Sequence, residues 1–407
     1  MNSYFTELGR TILAQWKGRN FSLQEFPEIA TAALKKANPA KNADLTELTR
    51  DFLFNDEQPF QSQSAFGQPE LIVYDDPRFY IQILFWLDGT TDIHQHMFSG
   101  AFHVLQGSSI HSRFEFDDAQ SISAHLRLGN LRRTSIELLE TGRTAPIISG
   151  RGYIHSLFHL ETPSLTVVVR THTDPGSGPQ FTYLPPHLAV DPDHYDTLTL
   201  RRKQLLDALE VTNDPAYPKL VEKMIRQLDF ERGFFILQNG MSYLRSLDRW
   251  DETWAVFAKK HGRLSELVEP TLEEIIRRDR LVALRGEITE VEHRFFLALL
   301  LNVQTRADIL RMVAQRFSGA PEKTVLRWME ELLEVSDFGT TILDAHFPEE
   351  LDIPPVEQPQ VLLSALRHFI GEGKAGTKSG KGSLPPAGMK LLRDSLRSSH
   401  LRPLILD

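Results

Sequence analysis

The segment IHQHMFSGAFHVLQG, residues 93–107, places two histidines two positions apart, ahead of an apolar run that ends in glycine. In a β-strand, residues i and i+2 project from the same face. If this segment forms a strand, His94 and His96 therefore direct two imidazoles at one point. A metal ion, a substrate or a hydrogen-bonded interior could each occupy that point, and the pair alone does not choose among them.

The region around this segment, from about 70 to 185, has the pattern of a β-rich domain. Runs such as RFYIQILFWLDG (78–89) and SLTVVVRTH (164–172) are rich in β-branched and aromatic residues. Gly, Pro, Asp and Asn interrupt such runs at intervals of about 8–15 residues. That spacing is typical of a β-sandwich or a small barrel.

Both flanks of the β-rich region have helical periodicity. LTELTRDFLF (45–54) follows Asn42 and Asp44, which are candidate helix caps. Beyond residue 195, runs such as EVEHRFFLALLLNV (290–303) repeat apolar residues every three or four positions. We therefore predict an α+β protein with an N-terminal helical segment at 1–64, a β-barrel at 65–187 and an all-α C-terminal domain at 188–407.

The composition narrows the classes of function. A net charge of −9 gives no electrostatic footprint for nucleic acid or an anionic membrane. The absence of cysteine excludes disulfides, thiolate ligands and a cysteine nucleophile. The N-terminus lacks the pattern of a signal peptide, and no apolar run could span a bilayer, so we expect a cytoplasmic protein. Ten of the fifteen histidines lie between His94 and His194, which marks this part of the chain for a functional site.

The glycines and histidines of the β-rich region resemble the two motifs of the cupin superfamily. The first motif is matched by Gly89, His94, His96 and Gly107. The second is matched within GRGYIHSLFH (150–159), where Gly152 and His155 fit and Gly150 stands where proline is usual. The resemblance implies a cupin β-barrel, a double-stranded β-helix or jelly roll, that binds a metal through His94, His96 and His155.

One position departs from the first cupin motif and narrows the resemblance to one family of cupins. Gly100 stands where the family's glutamate ligand would fall. Together with the strand that leads into the histidine pair, this makes residues 78–172 resemble cysteine dioxygenases, which use three histidines. The resemblance implies Fe(II) with O2 as co-substrate; Mn, Ni and Zn also suit nitrogen ligands. The Ser-His-Tyr series of those enzymes is not matched, since Thr166, Val168 and Arg170 occupy its places. Cysteine as the substrate is therefore not supported.

Two residues beside the third histidine are catalytic candidates. His159, four positions after His155, could be a base or an outer hydrogen-bond partner of the site, and a plain polar residue is an equal alternative. Tyr153 could donate a hydrogen bond to bound oxygen or substrate. His111 and His172 are interpreted as ordinary strand residues, although either could line a pocket.

Four residues are candidates for binding the substrate. Tyr80 and Gln82 alternate along the strand that leads into the site, and either could face its interior. Arg170 could grip an anionic group, because the guanidinium fork matches a carboxylate; Arg113 and Arg151 are alternatives. The strand that follows the histidine pair adds His103, although its parity predicts that it is not a metal ligand. Nearby aromatic residues are interpreted chiefly as core packing: Phe85, Trp86, Phe98 and Phe102.

These features favour a non-haem iron oxygenase acting on a small, amino-acid-like substrate. Two alternatives stay open: a metal-dependent isomerase or lyase that does not use O2, and a binding or sensor protein without activity. The helical C-terminal region could cover the barrel mouth, mediate homodimerisation or bind a protein or carrier partner. The sequence does not choose among these roles.

Overall fold

A computed structural model of the chain describes residues 3–63, 66–87, 89, 92–194, 196–335, 338–339, 341, 347–371 and 384–406. It confirms the predicted α+β class, with a closed β-barrel between N-terminal helices and a helical C-terminal region. The glycine- and lysine-rich segment 371–383 lies outside the described residues except for Gly371. No helix in the described ranges is long and apolar enough to cross a membrane.

Four helices precede the strands. They are α1 (Ser3–Lys17), α2 (Phe26–Ala37), α3 (Pro39–Asn42) and α4 (Leu45–Phe54). The predicted cap at Asp44 is confirmed, because its carboxylate accepts a hydrogen bond from the Glu47 amide at 2.9 Å.

Eleven strands occur in the described part of the chain. They are β1 (Glu70–Asp75), β2 (Phe79–Trp86), β3 (Ile93–His96), β4 (Gly100–Gln106), β5 (Ser108–Ser121), β6 (Leu126–Glu140), β7 (Thr144–Ile147), β8 (Gly150–His159), β9 (Ser164–Thr171), β10 (Thr182–Leu184) and β11 (Leu188–Val190).

The strands form two antiparallel sheets. One has five strands in the order β1-β2-β9-β4-β7, and the other closes on itself in the order β10-β11-β6-β5-β8-β3. The outer face of the five-stranded sheet packs against α1 and α2 in an apolar core that includes Phe5, Trp16 and Val167. Its inner face lines a cavity together with β3 and β8 of the closed sheet. This arrangement supports a cupin fold. The strand β11 lies just beyond residue 187, the predicted end of the barrel.

The longer elements of the C-terminal region are all helices. These are α5 (Thr197–Val211), α6 (Tyr217–Gln227), α7 (Phe230–Ser246), α8 (Trp250–His261), α9 (Arg263–Glu287), α10 (Val291–Asn302), α11 (Arg306–Arg316), α12 (Pro321–Leu333), α13 (Gln358–Ile370), α14 (Pro386–Leu396) and the short α15 (Arg402–Ile405). The sequence analysis did not predict α7, α9 or α13. Pro270 lies inside α9, and α7 contains two glycines, so local signals there oppose a helix.

The helices do not form a core separate from the barrel. One apolar cluster joins Ile110, Leu138 and Phe158 of the closed sheet to Phe296 and Leu300 of α10. Arginines add polar contacts across the same junction: Arg285 donates to the Leu160 carbonyl at 2.9 Å, and Arg133 pairs with Asp308 at 2.9 Å. The closed sheet is thus covered by the C-terminal helices.

Candidate metal site and adjoining cavity

The three predicted ligands converge at one point between the sheets. His94 and His96 lie on β3, and His155 lies on the neighbouring β8, where it is the register partner of His94. One ring nitrogen from each of the three lies within 4.8 Å of the others. Alternation along a strand therefore brings together the side chains that the motif predicted.

The environment of these rings favours their neutral form. Burial lowers the pKa of His94, and it lowers the pKa values of His96 and His155 well below the usual range. The neighbouring imidazoles add to the depression at His96 and His155, because a second positive charge nearby would be repelled. A neutral imidazole is the form that binds a metal, so the three rings are in the ligating state at neutral pH.

The spacing of the ring nitrogens fits a metal ion. The Nε2 atoms of His96 and His155 are 2.8 Å apart. Two nitrogens bound at right angles to one ion, each at about 2.0–2.1 Å, lie about 3 Å apart. A hydrogen bond between two neutral rings gives a similar separation, so this distance fits both a metal site and a metal-free interior. The third ring, His94, closes the group, and its Nδ1 atom lies 3.4 Å from the Asp92 carbonyl oxygen.

The structure gives a steric reason for the missing glutamate. Gly100 begins β4 and pairs with Arg170 on β9. A Cβ atom built on Gly100 would lie 1.9 Å from the carbonyl oxygen of Val169. Any side chain at this position would collide with the neighbouring backbone. The close approach of β4 and β9 therefore excludes a fourth protein ligand from position 100.

The sequence analysis missed a hydrogen-bonded chain behind His155. The Nδ1 atom of His155 is 3.2 Å from Nε2 of His111, and Nδ1 of His111 is 3.2 Å from a carboxylate oxygen of Glu137. His111 is buried, whereas about half of the Glu137 side chain is exposed. Tyr153, predicted to be catalytic, is buried, and its hydroxyl lies 3.5 Å from Nε2 of His111. It does not line the cavity beside the three histidines.

A cavity of about 110 Å³ adjoins the three histidines. Most of its wall is apolar, contributed chiefly by Leu84, Trp86, Phe98, Phe102, Ile147 and Val168. The interpretation of the aromatic residues as core packing is therefore incomplete, because Trp86, Phe98 and Phe102 also line this cavity. Its volume is below the 300–1,000 Å³ of drug-sized sites, so it suits a ligand of few atoms.

Two polar residues predicted to bind substrate line the same cavity. The Arg170 guanidinium stacks 3.5 Å from the centre of the Phe98 ring and donates to the Thr171 and His172 carbonyls. In the part of the chain that the structure describes, no carboxylate forms an ion pair with it. Gln82 is 2% exposed, and its amide oxygen has no hydrogen-bond partner among the described residues. A buried polar group without a partner is costly, so Gln82 is suited to a ligand that donates a hydrogen bond.

The other predicted residues lie in different surroundings. His159 lines the cavity, where it stacks on Trp86 and its Nδ1 contacts Ser109 and Ser164; burial lowers its pKa to about 3. An imidazole with so low a pKa is a weak base, which favours the interpretation of His159 as a wall residue. Tyr80 lies beside Arg170 and His172, outside the cavity lining.

His103 faces the opposite side of the five-stranded sheet. Its Nε2 atom is 3.3 Å from the Ala40 amide and its Nδ1 atom 2.8 Å from the Thr144 hydroxyl. The two alternative arginines also lie away from the cavity: Arg113 covers the Tyr153 ring, and Arg151 pairs with Asp118 at 2.5 Å. Parity along β4 accounts for the placement of His103. Arg113 is the register partner of His155 on β8, but its guanidinium lies over the Tyr153 ring and not in the cavity lining.

A buried carboxylate that the sequence analysis did not single out secures the segment after His96. Asp174 accepts hydrogen bonds from the Ser99 hydroxyl at 2.5 Å and the Thr171 hydroxyl at 2.6 Å. Its amide donates to the Met97 carbonyl at 2.7 Å. These bonds join the end of β3 to the end of β9, and they hold His96 and Arg170 on facing sides of the cavity.

Comparisons with known proteins add little to this geometry. No protein-family model and no curated protein matches the sequence. Among solved structures, an oxalate oxidase is 18% identical over 33% of this chain and 66% of its own, with a TM-score of 0.19. A structure of DMSP lyases is 16% identical over 43% of this chain and 97% of its own, with a TM-score of 0.22. A Thermus thermophilus protein is 18% identical over 27% of this chain and 89% of its own, with a TM-score of 0.18. These scores are too low to support an argument about function.

Proposed function

We propose that this protein is a non-haem Fe(II) oxygenase that acts on a small carboxylate-containing substrate. The observation that carries the proposal is the convergence of His94, His96 and His155 at one wall of a small apolar cavity that also holds Arg170. The resemblance of residues 78–172 to three-histidine cupin dioxygenases supplies the reaction class.

The ligand set supports an anionic substrate. Three neutral imidazoles leave the full charge of a divalent ion uncompensated, and Gly100 excludes the carboxylate that would reduce it. A carboxylate on the substrate would lower that charge in its place. When bound, Fe(II) would supply open coordination positions for O2 and for atoms of the substrate.

Arg170 is the residue that we assign to the substrate carboxylate. Its guanidinium is stacked between Phe98 and Tyr80, at 3.5 and 5.1 Å from the ring centres, and this stacking restricts its orientation. Binding a carboxylate needs less ordering when the donor is already held in place. Gln82, on the adjacent β2, would accept a hydrogen bond from an amine, hydroxyl or thiol of the same substrate.

The apolar wall would keep water away from the reacting atoms. Trp86 is held by a hydrogen bond from Nε1 to the Thr166 hydroxyl at 3.0 Å and by stacking on His159. We assign His159 a role in fixing this wall rather than in proton transfer. Exclusion of water strengthens electrostatic interactions in the cavity, including that of Arg170 with an anion.

The alternatives differ in their need for O2. An isomerase or lyase would use the ion as a Lewis acid, and a sensor would bind a ligand without turnover. Metal content and oxygen uptake separate the three. The chain should be purified without a polyhistidine tag, loaded anaerobically with Fe(II), and analysed for bound metal.

We expect about one iron per chain, its loss in His96→Ala, and oxygen consumption with a small thiol- or amino-containing carboxylate. Arg170→Gln should retain the iron and raise KM for the carboxylate by roughly 100-fold, as expected for the loss of about 2–3 kcal/mol from a charged hydrogen bond. Bound iron without oxygen uptake, but with conversion under argon, would replace the oxygenase by a lyase or isomerase. No metal uptake at all would contradict the proposal.

A further inference from the structure

The hydrogen-bonded chain behind His155 crosses three adjacent strands. Glu137 on β6 and His111 on β5 are register partners, and His111 and His155 lie diagonally across β5 and β8. The two links, from Glu137 to His111 and from His111 to His155, are both 3.2 Å. The hydrogen-bonded chain thus runs from a half-exposed carboxylate to a candidate metal ligand.

The chemistry of the three groups indicates which atom donates and which accepts at each hydrogen bond of this chain. An ionised carboxylate can only accept, so Nδ1 of His111 must carry the proton that faces Glu137. When His111 carries only this proton, its Nε2 atom is an acceptor, and His155 donates to it from Nδ1. The remaining nitrogen of His155, Nε2, keeps its lone pair. This is the atom that lies 2.8 Å from Nε2 of His96.

We propose that Glu137 and His111 are positioning residues that fix His155 in its Nδ1–H tautomer and so direct the Nε2 lone pair to the metal. The inference rests on the proposed three-histidine metal site and extends it to two residues that do not touch the ion. In the metal-free protein the series of hydrogen bonds continues by one more link, in which Nε2–H of His96 would donate to Nε2 of His155.

The surroundings of His111 fix its position. The Phe102 ring meets the imidazole edge-on at 5.7 Å, and the Tyr153 hydroxyl lies 3.5 Å from the same Nε2 atom that faces His155. An imidazole nitrogen has one lone pair, and His155 at 3.2 Å is nearer to it than the Tyr153 hydroxyl, which lies at the limit of hydrogen-bonding distance. Arg113 covers the Tyr153 ring at 4.5 Å and restricts the movement of that side chain.

The substitution Glu137→Gln tests the direction of the chain. A glutamine can donate from its amide to Nδ1 of His111, which would place the proton of His111 on Nε2. His155 would then accept at Nδ1 and carry its proton on Nε2, where it cannot bind a metal. Glu137→Asp keeps an acceptor and is the conservative rescue. Glu115→Gln is the matched control, because Glu115 is an exposed carboxylate that pairs with Arg132 and has no link to the histidines.

The experiment has two readouts on the full chain. Nitrogen-15 NMR of labelled histidines in the metal-free protein reports the tautomer of His155, and titration with Co(II) reports affinity for a metal. We expect Nδ1–H in the wild type and in Glu115→Gln, Nε2–H in Glu137→Gln, and affinity about 10- to 100-fold weaker in Glu137→Gln alone. Glu137→Asp should restore most of both.

The outcomes distinguish the two proposals. An unchanged tautomer and unchanged Co(II) affinity in Glu137→Gln, with a wild type that binds the metal, would overturn the positioning inference and leave the metal site standing. A wild type that binds no Co(II) would overturn the proposed function. In that case a tautomer switch in Glu137→Gln would still establish the direction of the chain, and its absence would contradict it.

Discussion

The two sides of the five-stranded sheet border different surroundings for histidine. His103 lies on its outer side, whereas its inner side borders the cavity that His94, His96 and His155 of the closed sheet also line. On the outer face, both nitrogens of His103 have hydrogen-bond partners in helix α3 and strand β7. On the inner side, the rings of His94, His96 and His155 face one another, and Nδ1 of His96 has no partner among the described residues. His103, His96 and His155 are all buried, and His94 is partly buried. The difference shows that the partners of the ring nitrogens, more than burial, decide whether a histidine joins elements of the fold or remains available to a ligand.

The largest expected contrast between the two faces is in metal binding. His155→Gln should lower affinity for Fe(II) or Co(II) by more than about 100-fold, because it removes one of three ligands, whereas His103→Gln should leave it unchanged. Equilibrium titration of the two variants beside the wild type measures both values. Equal affinities in the two variants would contradict the assignment of His155, and not His103, as a metal ligand.

The next effect concerns Gly100, the first residue of β4. Gly100→Ala should lower the free energy of unfolding by about 3 kcal/mol, since the new Cβ would meet the Val169 carbonyl and force β4 from β9. Gly152→Ala is the control, because nothing lies within 4 Å of its Cβ position. Urea denaturation of both variants tests the expectation. A cost below about 0.5 kcal/mol for Gly100→Ala would show that this approach is not what excludes a side chain.

A smaller effect is expected on the outer face. His103→Ala should cost about 2 kcal/mol of stability, because it leaves the Ala40 amide and the Thr144 hydroxyl without their partner. His172→Ala provides a comparison, since that ring is exposed and bonds only the Asp76 carbonyl. Thermal unfolding in the presence and absence of metal measures each cost. If His103→Ala were as mild as His172→Ala, the outer histidine would have no part in joining the helices to the sheet.

The last expected effect is a pH dependence. Burial lowers the pKa of His159 to about 3 in the folded chain, against about 6.5 when unfolded. Below about pH 6.5 the unfolded chain therefore binds a proton that the folded chain does not. Stability from this residue is complete above about pH 6.5 and falls by about 1.4 kcal/mol per pH unit as the solution is acidified towards pH 3. In His159→Gln the slope of unfolding free energy between about pH 6 and 4 should be smaller by that amount. An identical slope would mean that His159 titrates normally.

Local patterns in the sequence predict much of the fold and the ligand set. The resemblance to the cupin motifs points to the three histidines, and alternation along β3 explains why His94 and His96 lie on one face. The same reasoning did not reveal the contact between His111 and His155, because the two residues lie diagonally across β5 and β8, which no local pattern indicates. It also could not explain why position 100 is a glycine. A side chain there is excluded by the backbone of β9, which is distant in the sequence. Helix α9 was missed because Pro270 opposes a helix locally, whereas packing of Leu272 and Leu281 stabilises it.

The apolar cluster shared by the closed sheet and α10 has a consequence for synthesis of the chain. The described strands have all been synthesised once β11 is made, yet Ile110, Leu138 and Phe158 stay uncovered until Phe296 and Leu300 are made. At elongation rates of about 5–20 residues per second, that delay is roughly 5–20 s. During this time the outer surface of the nascent barrel exposes apolar side chains, to which chaperones can bind and through which chains can associate prematurely. Translation speed between β11 and α10 should therefore affect how much of the protein reaches its native state.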